Sequence, residues 1–378
     1  MPERILIMGG SFDPPHKGHR ALLMAAAREL APEAVVLAPA FQAPLKGLPG
    51  APAGVRVAML RALVSGLPKG LRKRCSLDLS EVRSRRKVYT VETLRRLARR
   101  HPQAEFHFVV GSDSAASFHR WRDPKALRRL ACWWVGARPG AQAPLPPGFH
   151  RLPGRFPDIS STDIRLAAAT AGKWRKLVPK PVAALIRGRK LYGLHILKEL
   201  EATLKDSRFQ HTLAVASIAV RLAERHGLDR QKAALAGLLH DCGRCMTPKQ
   251  MVARARAWKV LAPRREDLIR RAPKLLHSYL SAELSRRRFG VDDPEILSAV
   301  RKHTLGGATM SPLDRLLYVA DAVSEDRTHP GAAGLRSLAF RDLDAALAAC
   351  LEAKVAHARS AGSWLHPLSH SLWARTRR

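Results

Sequence analysis

The sequence predicts two domains of different class: an α/β domain with a parallel sheet over residues 1–193, then an all-α helical bundle over 194–378. Three observations carry this. The chain has 378 residues, long for one domain when ~100–200 residues per domain is usual. Apolar runs of strand length alternate with helical patterns in the first half. After about Leu194 the strand signals stop and only helical spacing remains.

Taken in order, "RILIMGG" (4–10) reads as a buried strand, "GHRALLMAAAREL" (18–30) as a helix and "AVVLAPA" (34–40) as a second strand. "VYTVETLRRLARR" (88–100) continues the series as a helix and "EFHFVVGSD" (105–113) as a strand. Strands joined through helices pair in parallel. The Pro- and Gly-rich stretches "QAPLKGLPGAPAG" and "GARPGAQAPLPPGFHRLPGRFP" read as loops near a site or as connectors. In the second half "HTLAVASIAVRLAERHG", "QKAALAGLLHD", "PEILSAVRKH" and "SPLDRLLYVADAVSED" all carry helical spacing, and no internal repeat is present.

Composition bounds the function. Hydrophobic residues are 46% and charged residues 26% of the chain, which suits packed cores rather than disorder. No apolar run reaches the ~20 residues of a membrane span, and the opening "MPERILIMGG" lacks a signal-peptide pattern, so a soluble cytoplasmic chain without membrane contact is expected. Five scattered cysteines fit reduced thiols. The net charge is +35, with 35 basic against 12 acidic residues up to Gly193 and 31 against 19 beyond it. The runs "RKR", "RSRRK" and "RRLARR" read either as a nucleic-acid surface or as a solvated face that draws in small polyanions. The absence of interleaved aromatics favours the second reading, with no specific nucleic-acid partner.

"GGSFDPPHKGH" (9–19) joins the first strand to the first helix. A strand, a glycine-rich loop and a helix start bring backbone N–H groups and a positive dipole end to one point, where a phosphate can sit. Gly9 and Gly10 permit close approach, and His16 and His19 share one face beside it. The stretch is neither a Walker loop nor a dinucleotide fingerprint. It resembles the signature of bacterial nicotinate-nucleotide adenylyltransferases, Rossmann-like nucleotidyltransferases with a His-x-Gly-His motif. "VYTVETL", "FVVGSDS" with Trp121, "ISSTDIR" and "LVPKPVAALIRGRKLY" extend the similarity to Tyr192.

The resemblance implies that His16 and His19 act catalytically on the triphosphate of ATP, with Gly9, Gly10, Ser11 and Phe12 lining the loop. It implies that Ser160, Ser161, Thr162 and Arg165 hold the ATP at a second helix start, and that Lys46, Thr90, Asp113 and Trp121 serve nicotinate mononucleotide. Mg²⁺ would arrive with ATP. Lys46 follows Pro44 and Leu45 where the family reads Pro-His-Lys, a departure that leaves this loop's role open. Thr90 can equally be a helix cap and Trp121 a core residue.

The second half carries a different set: His211, the adjacent His240 and Asp241, His277, His303 and Asp321, each within or beside a helical apolar pattern. Imidazoles and carboxylates converging in a helical bundle suit a divalent ion with mixed nitrogen and oxygen ligands. The order resembles HD-domain phosphohydrolases, and "SRFQHTLAVASIAVRLAERHG", "AGLLHDCGR", "LLHSYLSAEL", "VRKHTLG" and "YVADAVSEDR" narrow the similarity to symmetrical diadenosine-tetraphosphate hydrolases. That subgroup implies two metal ions, iron being expected, and cleavage of diadenosine tetraphosphate to two ADP. Asp241 would bridge the ions as the catalytic centre, with His211, His240 and Asp321 on one and His277 and His303 on the other. Arg208, Arg244, Lys302 and Arg327 are candidate phosphate contacts, each with solvated surface as the rival reading. "HDCGR" has Gly243 and Arg244 where the subgroup more often has Ala and Lys.

Cys242-x-x-Cys245 lacks the strand-to-helix context of a redox pair and the second thiolate pair of a zinc site, so it reads as structural. The expectation is a bifunctional enzyme of unknown oligomeric state. The alternatives are an HD domain acting on another nucleotide or phosphomonoester, or a basic nucleic-acid-binding protein built on these folds.

Overall fold

The computed structural model describes residues 2–43, 50–137, 145–328 and 331–377. They form two compact units: Met1–Ala167 with Lys173–Tyr192, and Ala168–Gly172 with Gly193–Arg378. Among the described residues no helix is long and apolar enough to cross a membrane.

In the first unit, β1 (Arg4–Gly10), β2 (Ala34–Pro39), β3 (Cys75–Leu77), β4 (Glu105–Gly111), β5 (Cys132–Gly136) and β6 (Phe149–Arg151) build one sheet in the order β3-β2-β1-β4-β5-β6. Every described pairing is parallel, and β1 sits at the centre with Ile7 opposite both Val36 and Phe108. Strand alternation sends Ile5 and Ile7 to one face and Leu6 and Met8 to the other, so β1 is apolar throughout because both faces are covered. On the Leu6 face lie α1 (Lys17–Leu30), through Leu22 and Leu23, and α2 (Ala53–Ser65), through Leu60. On the Ile7 face lies α3 (Thr90–Arg100). It buries Val91, Leu94 and Leu97 and turns Arg95, Arg99 and Arg100 outward, so the "RRLARR" run is the wet face of a packed helix.

The chain leaving β1 enters α1 on one face, whereas the chain leaving β4 reaches Ala126 and Leu127 on the other. The crevice this opens at the carboxyl ends of β1 and β4 is where open α/β sheets bind ligands. α4 (Ser161–Ala169) then starts against the loop after β1.

β3, β5 and β6 were not foreseen from the sequence. β3 and β6 are three-residue edge strands, too short for a period-2 signal, and the latter lies inside a Pro- and Gly-rich stretch read as a loop. β5, "CWWVG", follows a helix directly and is only five residues long.

The second unit is helical. α5 (Asp206–Arg225), α6 (Arg230–Leu239), α7 (His277–Arg287), α8 (Pro294–Lys302), α9 (Pro312–Val323), α10 (Leu343–Ser360) and α11 (Pro367–Thr376) are its main elements. Val215, Ile218 and Leu222 of α5, Leu238 of α6, Val300 of α8 and Leu316 and Val319 of α9 share one core. Asp229, Asp293 and Ser311 cap α6, α8 and α9 through their side chains. α5 and α6 approach closely at Gly237, where a Cβ would lie 2.6 Å from Ala216 Cα.

Candidate functional site

At the first site the two histidines of the Gly9–His19 stretch fix each other. His16 is the N-cap of α1 and His19 its third residue. His16 Nδ1 accepts the His19 N–H at 3.4 Å, and His19 Nδ1 accepts the His16 N–H at 3.2 Å. The rings lie 3.8 Å apart between centroids. A backbone N–H only donates, so each neutral ring carries its proton on Nε2 and is a hydrogen-bond donor there, as a phosphate oxygen requires. Gly18 makes this possible: a Cβ there would stand 2.9 Å from His16 Nδ1 and 3.0 Å from Cε1. Phe12 is buried in the core beneath the loop, its ring tilted against His19 at 5.2 Å.

Three further side chains clamp the loop. Asp13 is 3% exposed, and its carboxylate accepts the N–H groups of Gly50 (2.7 Å) and Ala51 (3.2 Å) and the Tyr192 hydroxyl (2.8 Å). Burial next to Asp13 pushes the Tyr192 phenol far above its ordinary range. Arg56 is 1% exposed and donates to the carbonyls of Ser11 and Ala40 at 2.6 Å, Phe41 at 2.9 Å and Ala51 at 3.2 Å. Burial lowers its pKa, and Asp13 partly restores it. This one guanidinium ties the loops after β1 and β2 to α2.

Of the residues expected to hold ATP, the α4 group reaches the same loop from 147 positions away: Ser161 Oγ donates to the Pro14 carbonyl at 2.9 Å. Arg165 donates to the Asp13 carbonyl at 2.6 Å and to Thr162 Oγ1 at 3.2 Å. Ser160 caps α4, its hydroxyl accepting the Asp163 N–H at 3.0 Å. The start of α4 thus meets the loop that runs from Gly9 and Gly10, at the end of β1, into the start of α1. Thr90 is the first residue of α3, and Asp113 is exposed in the short Ser112–Ala116 helix after β4. Trp121 is half-buried, edge-on to Trp133 at 5.7 Å, and the adjacent Arg122 covers the Tyr89 ring at 4.7 Å, which brings the start of α3 to this segment. Lys46 lies outside the described residues.

The second site gathers all six expected ligands. His277 Nε2 is 3.1 Å from Asp241 Oδ1 and 3.1 Å from His303 Nε2, and His303 Nε2 is 3.7 Å from the same Asp241 oxygen. His211 Nε2 is 3.0 Å from Asp321 Oδ1. His240 Nε2 lies 3.6 Å from Asp241 Oδ2 and 3.9 Å from Asp321 Oδ1, fully buried with no hydrogen-bond partner. Gly237, by bringing α6 onto α5, sets His240 beside His211 with ring centroids 5.4 Å apart.

The chemistry of this set fits metal ions. His240, His277 and His303 each direct Nδ1 at a backbone carbonyl at 2.7 Å, so Nδ1 carries the proton and Nε2 presents a lone pair. Lone pairs and carboxylates converge, an arrangement that repels unless a cation lies among them. Burial pushes His240 down to about 4 and also lowers His277, which keeps both rings neutral at pH 7. For His211, burial is outweighed by hydrogen bonds to Asp321 and Asp326, and the pKa rises. The triplets His211–His240–Asp241, His240–His303–Asp321 and Asp241–His277–His303 can each close on an ion, with Asp241 shared between two of them.

Arg208 donates to Asp241 Oδ2 at 2.8 Å, Arg244 to Oδ1 at 3.3 Å, and Arg327 to Asp321 Oδ1 at 3.0 Å. The fourth basic candidate, Lys302, donates at 2.7 Å to Asp314, a fully buried carboxylate in the first turn of α9. Sequence reasoning also missed Thr304, whose hydroxyl lies 3.0 Å from His277 Nε2 and 2.9 Å from His303 Nε2. Its position next to His303 was the available signal.

Two other groupings fail as metal or redox sites. Glu105, His107 and Cys132 cluster on β4 and β5, but His107 Nδ1 accepts the Trp134 indole N–H at 3.1 Å, so its Nε2 carries a proton and cannot ligate. Burial pushes the Cys242 thiol up to about 12, and it donates to the Ser281 carbonyl at 3.5 Å.

Fold and sites together define a nucleotidyltransferase domain followed by an HD domain: residues 7–167 match the cytidylyltransferase-like family and residues 208–326 the HD domain. The HD domain implies a divalent metal. The chain is 36% identical over 194 residues to a probable nicotinate-nucleotide adenylyltransferase of Exiguobacterium sibiricum, covering 50% of this chain and 99% of that relative. It is 37% identical over 144 residues to the symmetrical bis(5'-nucleosyl)-tetraphosphatase of Bacillus subtilis, covering 38% and 75%. A probable nicotinate-nucleotide adenylyltransferase/Ap4A hydrolase of Mycoplasma genitalium is 27% identical over 334 residues, 86% of this chain and 89% of that one. The chain belongs to the nicotinate-nucleotide adenylyltransferases through its first half and to the symmetrical HD-domain tetraphosphatases through its second.

Proposed function

We propose that this is a bifunctional enzyme. The first domain transfers the adenylyl group of ATP to nicotinate mononucleotide, releasing pyrophosphate and forming nicotinate adenine dinucleotide. The second hydrolyses diadenosine tetraphosphate to two ADP. The observation that carries the first activity is the reciprocal pair His16 and His19, two Nε2–H donors at a helix N-terminus. The one that carries the second is the buried convergence of His211, His240, Asp241, His277, His303 and Asp321.

In adenylyl transfer the nucleophile is an anionic phosphate and needs no strong base, so catalysis is alignment and charge neutralisation. His16 and His19 donate to the triphosphate; the starts of α1 and α4, with Ser160, Ser161, Thr162 and Arg165, hold the ATP, which brings its own Mg²⁺. Thr90, Asp113 and Trp121 bind the mononucleotide across the switch point, and Lys46 is the further candidate that the sequence offers.

In the HD domain His211, His240 and Asp321 would hold one divalent ion and His277 and His303 a second, with Asp241 offering a carboxylate to both; iron is the expected metal. Bound there, such ions polarise phosphate oxygens and activate water. The chain's own part is to fix the lone pairs, keep the cluster dry and offer Arg208, Arg244 and Arg327 to the phosphates. All three substrates are anionic nucleotides, and the net charge of +35 favours such polyanions at long range.

Two reactions on the purified chain, resolved by chromatography, test this. ATP with nicotinate mononucleotide should give the dinucleotide and pyrophosphate, with nicotinamide mononucleotide as the comparison. Diadenosine tetraphosphate with Mn²⁺ or Fe²⁺ should give two ADP, whereas ATP plus AMP would refute symmetric cleavage. Silence in both would refute the assignment.

A further inference from the structure

Three of the four histidines in the metal cluster are oriented by their own backbone. His240, His277 and His303 each set Nδ1 at 2.7 Å from the carbonyl three residues earlier, those of Gly237, Lys274 and Val300. They can do so because each sits at a helix boundary: His240 and His303 follow the last residues of α6 and α8, and His277 opens α7 after a 3₁₀ turn. The Gly237 and Val300 carbonyls lie in last turns, where no helical N–H follows to claim them, and the Lys274 carbonyl, which accepts the His277 N–H in its 3₁₀ turn, keeps a second lone pair for the ring.

His211 has no such recourse. It lies inside α5, five residues past its start, where the preceding carbonyls belong to the helix ladder. Its Nδ1 is instead 2.7 Å from Asp326 Oδ2, while Nε2 faces Asp321 Oδ1 at 3.0 Å. Asp326 lies on the turn that follows α9, and that turn is itself anchored. Arg336 donates to the carbonyls of Val323 at 2.7 Å and Ser324 at 2.8 Å, and Arg327 donates to the Asp321 carbonyl at 3.1 Å. The carboxylate is therefore held where the ring needs an acceptor.

We propose that Asp326 is a positioning residue of the metal centre: by accepting Nδ1–H of His211 it fixes the tautomer and ring plane of the one ligand that its own helix cannot orient, and so sets the affinity of the ion His211 holds. A carboxylate behind a ligating imidazole also makes it a stronger donor, which a carbonyl does less well. This rests on reading the cluster as a divalent-metal centre.

The test uses the full chain and Mn²⁺ alone. Affinity is measured by competition with a chelator, bound metal by elemental analysis, and folding by thermal unfolding of the metal-free protein. Asp326→Ala should weaken Mn²⁺ binding by ~10–100-fold while the metal-free protein melts as the parent does, since Asp326 is one-third exposed. Asp326→Asn, which keeps an acceptor oxygen but loses the charge, should recover part of that loss. Hydrolysis of diadenosine tetraphosphate by Asp326→Ala should return toward the parent level as Mn²⁺ is raised. Parental affinity in Asp326→Ala would overturn the proposal, as would equal losses in both variants. A parent chain that binds no Mn²⁺, or a His240→Ala chain that binds as much as the parent, would instead overturn the metal-centre reading beneath it.

Discussion

Replacing Gly18 by Ala asks whether the histidine pair is catalytic because of its geometry. The new Cβ would stand 2.9 Å from His16 Nδ1 and 3.0 Å from Cε1, about 0.5 Å inside an ordinary contact. The ring is 6% exposed and cannot simply swing into solvent. It must withdraw from the new methyl, and its bond to the His19 N–H, already 3.4 Å, has no slack to absorb the shift. Losing that cap bond costs ~1 kcal/mol, so the melting temperature should fall only slightly. Catalysis is more sensitive, because displacing an aligned group by 0.5–1 Å costs ~10–100-fold. Adenylyl transfer, followed by pyrophosphate release, should drop by that factor, mostly in kcat. Diadenosine tetraphosphate hydrolysis by the same sample should match the parent. Transfer at the parental rate would show that His16 does not need this position and would refute the account of the site.

Gly237→Ala puts a Cβ 2.6 Å from Ala216 Cα, backbone that cannot rotate away, so α5 and α6 must part. A loss of ~1–3 kcal/mol in urea unfolding together with weaker metal retention is expected, and an unchanged midpoint would contradict the packing described. Arg56→Met removes a buried guanidinium from four carbonyls; it should cost at least ~2 kcal/mol and slow adenylyl transfer, and a fully stable, active variant would show those loops to be self-supporting. Because each unit has its own core, fragments 1–193 and 194–378 should fold separately and keep one activity each; if soluble fragments both prove inactive where the intact chain works, the proposed independence is wrong.

The sequence shows best what is local or periodic. β1, β2, β4, α1 and α3 are readable because each carries a full period of apolar spacing, and the histidine loop because its residues are contiguous. The candidate HD ligands are legible as an ordered set of histidines and aspartates within or beside apolar helices. What the sequence conceals is non-local. Arg56 is one arginine among many, and only the folded chain shows it buried against carbonyls from two loops, the one after β1 and the one after β2. Lys302 sits beside His303, and nothing in the sequence marks its bond to the buried Asp314 twelve residues on. Asp326 follows a glutamate in a polar turn, and nothing nearby marks it as the partner of a histidine 115 positions earlier.

The closed loop of hydrogen bonds between His16 and His19 makes them a single mutational unit. Each ring supports the backbone that carries the other, so removing either one loosens both, and alanine at both positions should cost much less than the sum of the two single losses. An alanine scan would assign nearly the whole of the loop's contribution to each residue in turn and so count it twice. For a drifting lineage the same wiring means that the first histidine lost releases selection on the second, and the pair should be found intact or absent rather than halved.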